Sequence, residues 1–101
     1  MPFPALDPAE AATALAREEV RVLDVRFDEE FAARRLPRSR LVPLPELEGR
    51  LGEIDPEADW LVVCGGGARS LAACRLLHER GRRVRWLRGG LSAHPGPFEA
   101  S

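Results

Sequence analysis

Val62-Val63-Cys64-Gly65-Gly66-Gly67-Ala68-Arg69-Ser70 is the stretch that decides the architecture. Apolar, β-branched residues read as a buried strand that ends at a cysteine. Three glycines then permit a tight turn, and helix-forming residues begin at Ala68. A side chain at the carboxyl end of a strand, facing the start of the next helix, meets backbone N–H groups that the helix itself leaves unpaired. Those donors and the positive end of the helix dipole stabilise negative charge, and the thiolate is the nucleophilic form of sulfur. The glycines place no side chains between the amides and a bound anion, and Arg69 adds a permanent charge with a planar fork of donors. Taken separately, a cysteine after a strand is a small core hydrophobe and Gly-Gly-Gly is a loop. In this order the residues describe a thiolate in an anion cradle, with Cys64 as nucleophile and Gly65, Gly66, Gly67, Ala68, Arg69 and Ser70 as the loop around it.

Moving outward, strand and helix patterns alternate. Asp7 followed by Pro8 and Glu10 is a helix start, with the helix running to about Arg17. Val20 to Val25 reads as a strand, Asp28 to Arg35 as a short helix, Leu41-Val42 as a brief strand and Pro45 to Leu51 as a short helix. Asp55-Pro56-Glu57 is a turn. Trp60 to Val63 is the most apolar strand and belongs near the middle of a sheet. Ala68 to Arg80 is the strongest helix, stopped at Gly81. Arg83 to Leu87 is the last strand, Gly89-Gly90 turns into a short final helix, and an irregular tail begins at about residue 95. Such alternation predicts an α/β fold: a small, mainly parallel sheet of four to five strands, covered by helices on both faces, in one domain over residues 1–101. Ligands of such sheets bind beyond the carboxyl ends of the strands. Cys64 lies at one such end, and Asp24 to Arg26 and Gly89-Gly90 lie at two others.

Several of these segments resemble the rhodanese-like sulfurtransferase family, single-domain type. Cys64-x-x-Gly67-x-Arg69-Ser70 is similar to the family's active-site loop, in which a cysteine carries a sulfane sulfur as a persulfide. Leu23-Asp24-Val25-Arg26 resembles the first family signature, and Glu30-Phe31 falls where an acidic-aromatic pair is usual. Leu36-Pro37 with Leu41-Val42-Pro43-Leu44 resembles the "H-I-P-G-A … I-P" segment, and Leu87-Arg88-Gly89-Gly90 the closing "L-x-G-G". Arg35, Arg38 and His94 depart from the usual histidine, glycine and tryptophan. The resemblance implies that Asp24 and Arg26 support the active loop as scaffold, and that the Asp24 and Gly89 segments surround the cysteine.

Composition narrows the setting. The 101 residues are 45% hydrophobic and 31% charged, as in globular proteins, and no apolar run approaches membrane-spanning length. The first residues lack the basic and apolar regions of a signal peptide, so a cytoplasmic location is expected. Two cysteines make no disulfide framework, and a reducing compartment suits a reactive thiol. All fifteen basic residues are arginine, and asparagine, glutamine and tyrosine are absent. Loss of the thermolabile amides points to thermophily, and a GC-rich genome would produce the same bias. Residues 1–63 hold 8 arginines against 14 acids, a net of −6; residues 64–101 hold 7 against 2, a net of +5. A basic surround would suit an anionic substrate or an acidic carrier protein. No basic helix or aromatic platform suggests nucleic acid.

Other chemical candidates read as structural. Cys74 lies inside the strong helix and is expected as a buried thiol; as a resolving thiol it would have to reach Cys64. Cys74-x-x-x-His78 lacks further ligands at zinc spacing, so no metal is expected. His78 reads as solvated near a helix end, His94 as filling the usual tryptophan site, and Trp60 and Trp86 as core. No cofactor is needed. The expected activity is transfer of a sulfane sulfur from an anionic donor such as thiosulfate to a thiol or cyanide, through a Cys64 persulfide. A cysteine-dependent phosphatase would resemble C-x5-R, whereas Cys64 to Arg69 is C-x4-R, a tighter ring. A non-catalytic binding or sensor module on the same fold is the third reading.

Overall fold

Cys64 follows the central strand of a five-stranded parallel sheet in the computed structural model, which describes residues 1–100. The elements are β1 (Ala5–Leu6), α1 (Pro8–Ala16), β2 (Arg21–Asp24), α2 (Asp28–Ala33), β3 (Arg40–Leu41), β4 (Asp59–Val63), α3 (Ala68–Glu79) and β5 (Arg83–Leu87). The strand order is β1-β5-β4-β2-β3. In register, Trp60 of β4 faces Arg21 of β2 and Val84 of β5, and Val63 faces Asp24. β4 is apolar at consecutive positions because both of its faces are covered, one by α3 and the other by α1.

Strand alternation sorts β4 into two cores. Trp60, Val62 and Cys64 face one layer, with Ala73, Cys74 and Leu77 of α3, Leu23, and Val84. Leu61 and Val63 face the other, with Ala11 of α1, Val22, Leu36, Leu87 and Leu91. Burying each of these Leu or Val side chains stabilises the fold by about 1.5–3 kcal/mol. Period two thus aims the Cys64 side chain at the α3 face.

Local signals set the element ends. Asp7 Oδ1 accepts from the Glu10 amide at 2.7 Å while Glu10 Oε1 accepts from the Asp7 amide at 2.9 Å, a reciprocal cap with Pro8 in the first turn. Gly81, at φ +82°, ends α3. Three expectations need correction. Ala5–Leu6, which the sequence pattern assigns to no element, forms an edge strand paired with Trp86 and Leu87. The helix expected over Pro45 to Leu51 is instead two 3-10 segments, Leu44–Glu46 and Glu48–Glu53, with Arg50 off helical geometry. The tail beyond residue 95 is not wholly irregular: Glu99 bridges Arg35, and Phe98 packs against the cluster that includes Leu36 and Leu91.

Candidate active site

The sulfur of Cys64 acts as the acceptor that a helix N-cap normally supplies. The residue preceding α3 is Gly67, which has no side chain to cap with and adopts φ +105°, a region that L side chains rarely enter. Cys64 Sγ instead accepts from the Gly67 amide at 3.1 Å and from the Ser70 amide, in the first turn of α3, at 3.2 Å. Ser70 Oγ lies 3.3 Å from Sγ and donates to the Gly67 carbonyl at 3.1 Å. The first-turn amides converge because the chain reverses within Gly65–Gly67, so helix dipole and N–H groups act on the same atom. Among the described residues, no protein acceptor takes the amides of Gly65, Gly66, Ala68 or Arg69. Of the six loop amides, two hold Sγ and four are uncommitted.

The loop is braced from three directions. Trp86 Nε1 donates to the Gly67 carbonyl at 2.9 Å and to Ser70 Oγ at 3.2 Å, so this indole does more than fill the core. Leu91 and Ser92 donate their amides to the carbonyls of Cys64 and Gly65, at 2.8 and 3.0 Å, and Ser92 Oγ adds a bond to Gly65. Gly90 makes this approach possible, since a Cβ there would run into the Gly65 carbonyl. From the third side, Arg69 donates through both terminal nitrogens to the two carboxylate oxygens of Glu30, each at 2.9 Å. That bidentate pair holds Glu30 down to a pKa of about 2, aided by the Phe27 amide. Arg69 is committed to a neighbour, and Phe27, half exposed, lies 5.9 Å from its guanidinium.

Asp24 and Arg26 form a buried pair one strand over. Arg26 Nε and its terminal nitrogen make three contacts with the Asp24 oxygens at 2.8–3.1 Å, and the Arg26 amide adds a fourth. The same guanidinium reaches the Arg34 carbonyl at 2.6 Å, which ties the end of α2 to β2. α2 carries Glu30, so the Asp24–Arg26 pair is linked to Arg69 through that helix. Gly89-Gly90 meets the cysteine loop directly, as the resemblance implies. Cys74 is fully buried and free, and burial, with the nearby Cys64 sulfur, pushes its thiol up to about 12. His94 is buried in the other layer beside Phe98, not at the sulfur. No group of three or more metal-ligating side chains occurs among the described residues. No described helix is long and apolar enough to cross a membrane.

The model of the rhodanese-like domain matches residues 7–94. The chain belongs to the rhodanese-like domain family. YtwF of Bacillus subtilis, named as a candidate sulfurtransferase, is 30% identical over 81 residues, 80% of this chain and 79% of that protein. A sulfurtransferase of Allochromatium vinosum is 36% identical over 77 residues, covering 75% and 72%. A rhodanese-like domain protein of Staphylococcus aureus superimposes with a TM-score of 0.90 at 26% identity, over 98% of this chain and 99% of the other.

Two site residues escape a reading from sequence pattern alone. Glu30 is 39 positions from Arg69, and only the acidic-aromatic resemblance touched it. Trp86 lies in an arginine-flanked strand, where nothing local signals that its N–H will reach the loop.

Proposed function

We propose that this rhodanese-like protein moves a sulfane sulfur through a persulfide on Cys64. The observation that carries the reading is the pair of amides on Sγ, with four more loop amides uncommitted around it. The Cys64 thiolate attacks the outer sulfur of thiosulfate, or of a similar anionic donor. A Cys64 S–S bond forms, the donor S–S bond breaks, and sulfite leaves with the electron pair. An acceptor thiolate, or cyanide, then attacks the outer sulfur of the persulfide and releases Cys64 as thiolate. The uncommitted amides stabilise the extra anionic sulfur, which lies one bond farther out than Sγ. Arg69, held by Glu30, keeps the loop in shape. Cys64 is 1% exposed, so a donor reaches its sulfur only after a local opening around the loop, and Gly66, whose Cβ position has no atom within 4 Å, leaves open space beside it.

The acceptor in this scheme is a small thiol or a sulfur-carrier protein with an acidic surface. The half-exposed Phe27 ring and the exposed Arg88, next to the Gly89-Gly90 turn, suit contact with such a carrier. Two free thiols fit a reducing setting such as the cytoplasm. C-x4-R spacing disfavours the phosphatase reading, because the ring is one residue tighter.

Mass spectrometry after incubation with thiosulfate tests the proposal. Wild type should gain one sulfur, lost on adding cyanide. Cys64→Ser should gain none while melting near wild type, because serine is nearly isosteric and its hydroxyl stays protonated. An unmodified wild type, or a sulfur gained by Cys64→Ser, would overturn the scheme.

A further inference from the structure

Phe27 stands immediately before α2 and breaks two local rules at once. Among the described residues, Met1 and Phe27 are the large apolar side chains left exposed, Phe27 at 49%. An isolated exposed hydrophobe needs no explanation by itself. The position of this one does. Phe27 is the N-cap of α2, where Ser, Thr, Asp or Asn would accept a first-turn amide, and a phenyl ring makes no such bond. The ring therefore serves neither the core nor the helix that it begins.

The fold holds that ring at the rim of the cysteine loop. Glu30 Oε1 accepts from the Phe27 amide at 3.0 Å and from Arg69 at 2.9 Å, so one carboxylate oxygen fixes both residues. The Arg69 guanidinium lies 5.9 Å from the Phe27 ring centre, within reach of a cation–π contact. The other Arg69 terminal nitrogen stands 3.6 Å from where a Cβ on Gly65 would be, and Gly65 follows Cys64 directly. Only the Arg69 guanidinium separates the ring from the residue next to the sulfur.

Charge and area sort the ligand. Arg69 is paired with Glu30, and Asp28 and Glu29, next along the chain, are exposed with no ion-pair partner among the described residues. Arg88 follows β5, which lies on the other side of β4 from β2 and so from Phe27. Negative charge thus gains nothing on the Phe27 side of the loop, and an uncharged body fits there. One ring is also far short of the roughly 800 Å² per partner that a stable protein interface covers. Its match is the apolar part of a small molecule, and another aromatic ring packs on it best.

We propose that Phe27 is a specificity-determining residue, whose ring receives the uncharged, aromatic body of a small thiol that takes sulfur from Cys64. The inference rests on the persulfide reading above and names the acceptor class of that same site. The acceptor thiolate attacks the outer sulfur of the Cys64 persulfide and forms a new S–S bond. The bond to Cys64 Sγ breaks, its electron pair returns to Sγ as thiolate, and the acceptor leaves as its own persulfide. Phe27 makes and breaks no bond; it holds the acceptor with its sulfur directed at the loop.

The test mixes persulfide-loaded protein with phenethyl mercaptan or ethyl mercaptan and follows loss of one sulfur from the chain by mass spectrometry. Both are primary alkyl thiols, so the ratio of their rates at low concentration isolates the ring. Wild type should react about tenfold faster with phenethyl mercaptan. Phe27→Ser should bring the ratio close to one, and Phe27→Trp should keep it high. Serine can cap α2, so Phe27→Ser should melt no lower than wild type, and a lost ratio then reports lost contact rather than lost fold. A wild-type ratio near one, or a tenfold ratio that survives Phe27→Ser, would overturn the inference and leave the persulfide standing. A wild type that takes up no sulfur from thiosulfate would overturn the persulfide reading and this inference with it.

Discussion

At Gly90 a single methyl group separates a working loop from a displaced one. Its φ of +65° favours glycine, and a Cβ would collide with the backbone carbonyls of Gly65 and Cys64. Gly90→Ala should therefore destabilise the protein by about 2 kcal/mol or more and slow sulfur uptake, because the cysteine loop must move to admit it. Gly66→Ala is the matched control. No atom lies within 4 Å of its Cβ position and its φ is not positive, so stability should change by less than about 0.5 kcal/mol. Denaturant titration of both variants, with persulfide formation followed by mass spectrometry, separates the cases. A stable, active Gly90→Ala would mean that the contact between the Gly90 turn and the loop is dispensable. The sequence shows glycine at both positions and cannot distinguish them. The difference lies in what approaches from 25 residues away.

Elements reach the site as supports, and their legibility follows the range of the forces that place them. The α1 cap, β4 and the start of α3 were readable because Asp7-Pro8-Ala9-Glu10 and the 62–70 run carry their own local physics. β1 was not, since two residues between Pro4 and a helix cap become a strand only by pairing with β5. The Pro45–Leu51 segment tightened into 3-10 turns under packing that its sequence does not report. The Glu30–Arg69 clasp and the Trp86 brace join elements distant in the chain, so pattern could not reveal them. Two predictions belong at this scale. Asp24→Asn leaves Arg26 buried without its counter-charge, which should cost about 3–5 kcal/mol and loosen α2 through the Arg34 carbonyl, as denaturant titration would show. A cost below about 1 kcal/mol would mean that the pair does not anchor α2. The clasp is tested by acid. Glu30 has its pKa lowered from 4.5 to about 2, so its contribution is complete above 4.5 and lost as pH falls through about 2. The carboxyl carbon shift of Glu30 should titrate near 2; a midpoint near 4.5 would mean the clasp is open in solution.

The charge of the whole molecule is arranged differently from its order in sequence. The net +5 of residues 64–101 suggested a basic surround for the cysteine. In the fold, Arg83 pairs in register with Asp59 at the start of β4, whereas Cys64 follows the end of that strand. Arg80, Arg82 and Arg83 therefore lie toward the opposite end of the sheet from the sulfur, and Arg83 and Arg85 belong to the face of β5 turned from Cys64. They are also occupied. Arg80 pairs with Glu48, Arg82 donates to the carbonyls of Leu51 and Ile54, Arg83 meets Asp59, and Arg85 meets Glu19. Near the loop, Arg69 is neutralised by Glu30, which leaves Arg88 as the exposed cation beside the Gly89-Gly90 turn, while Arg75, also exposed, lies two turns along α3. So few free charges give weak steering, and the Debye length of about 10 Å at 0.1 M salt screens what lies farther off. For thiosulfate, kcat/KM should fall by less than about threefold between roughly 20 and 300 mM ionic strength, with kcat nearly flat. Most of that small slope should disappear in Arg88→Ala. A steep fall that survives Arg88→Ala would show that the distant arginines still act on the donor, through a field that their carboxylate partners do not cancel.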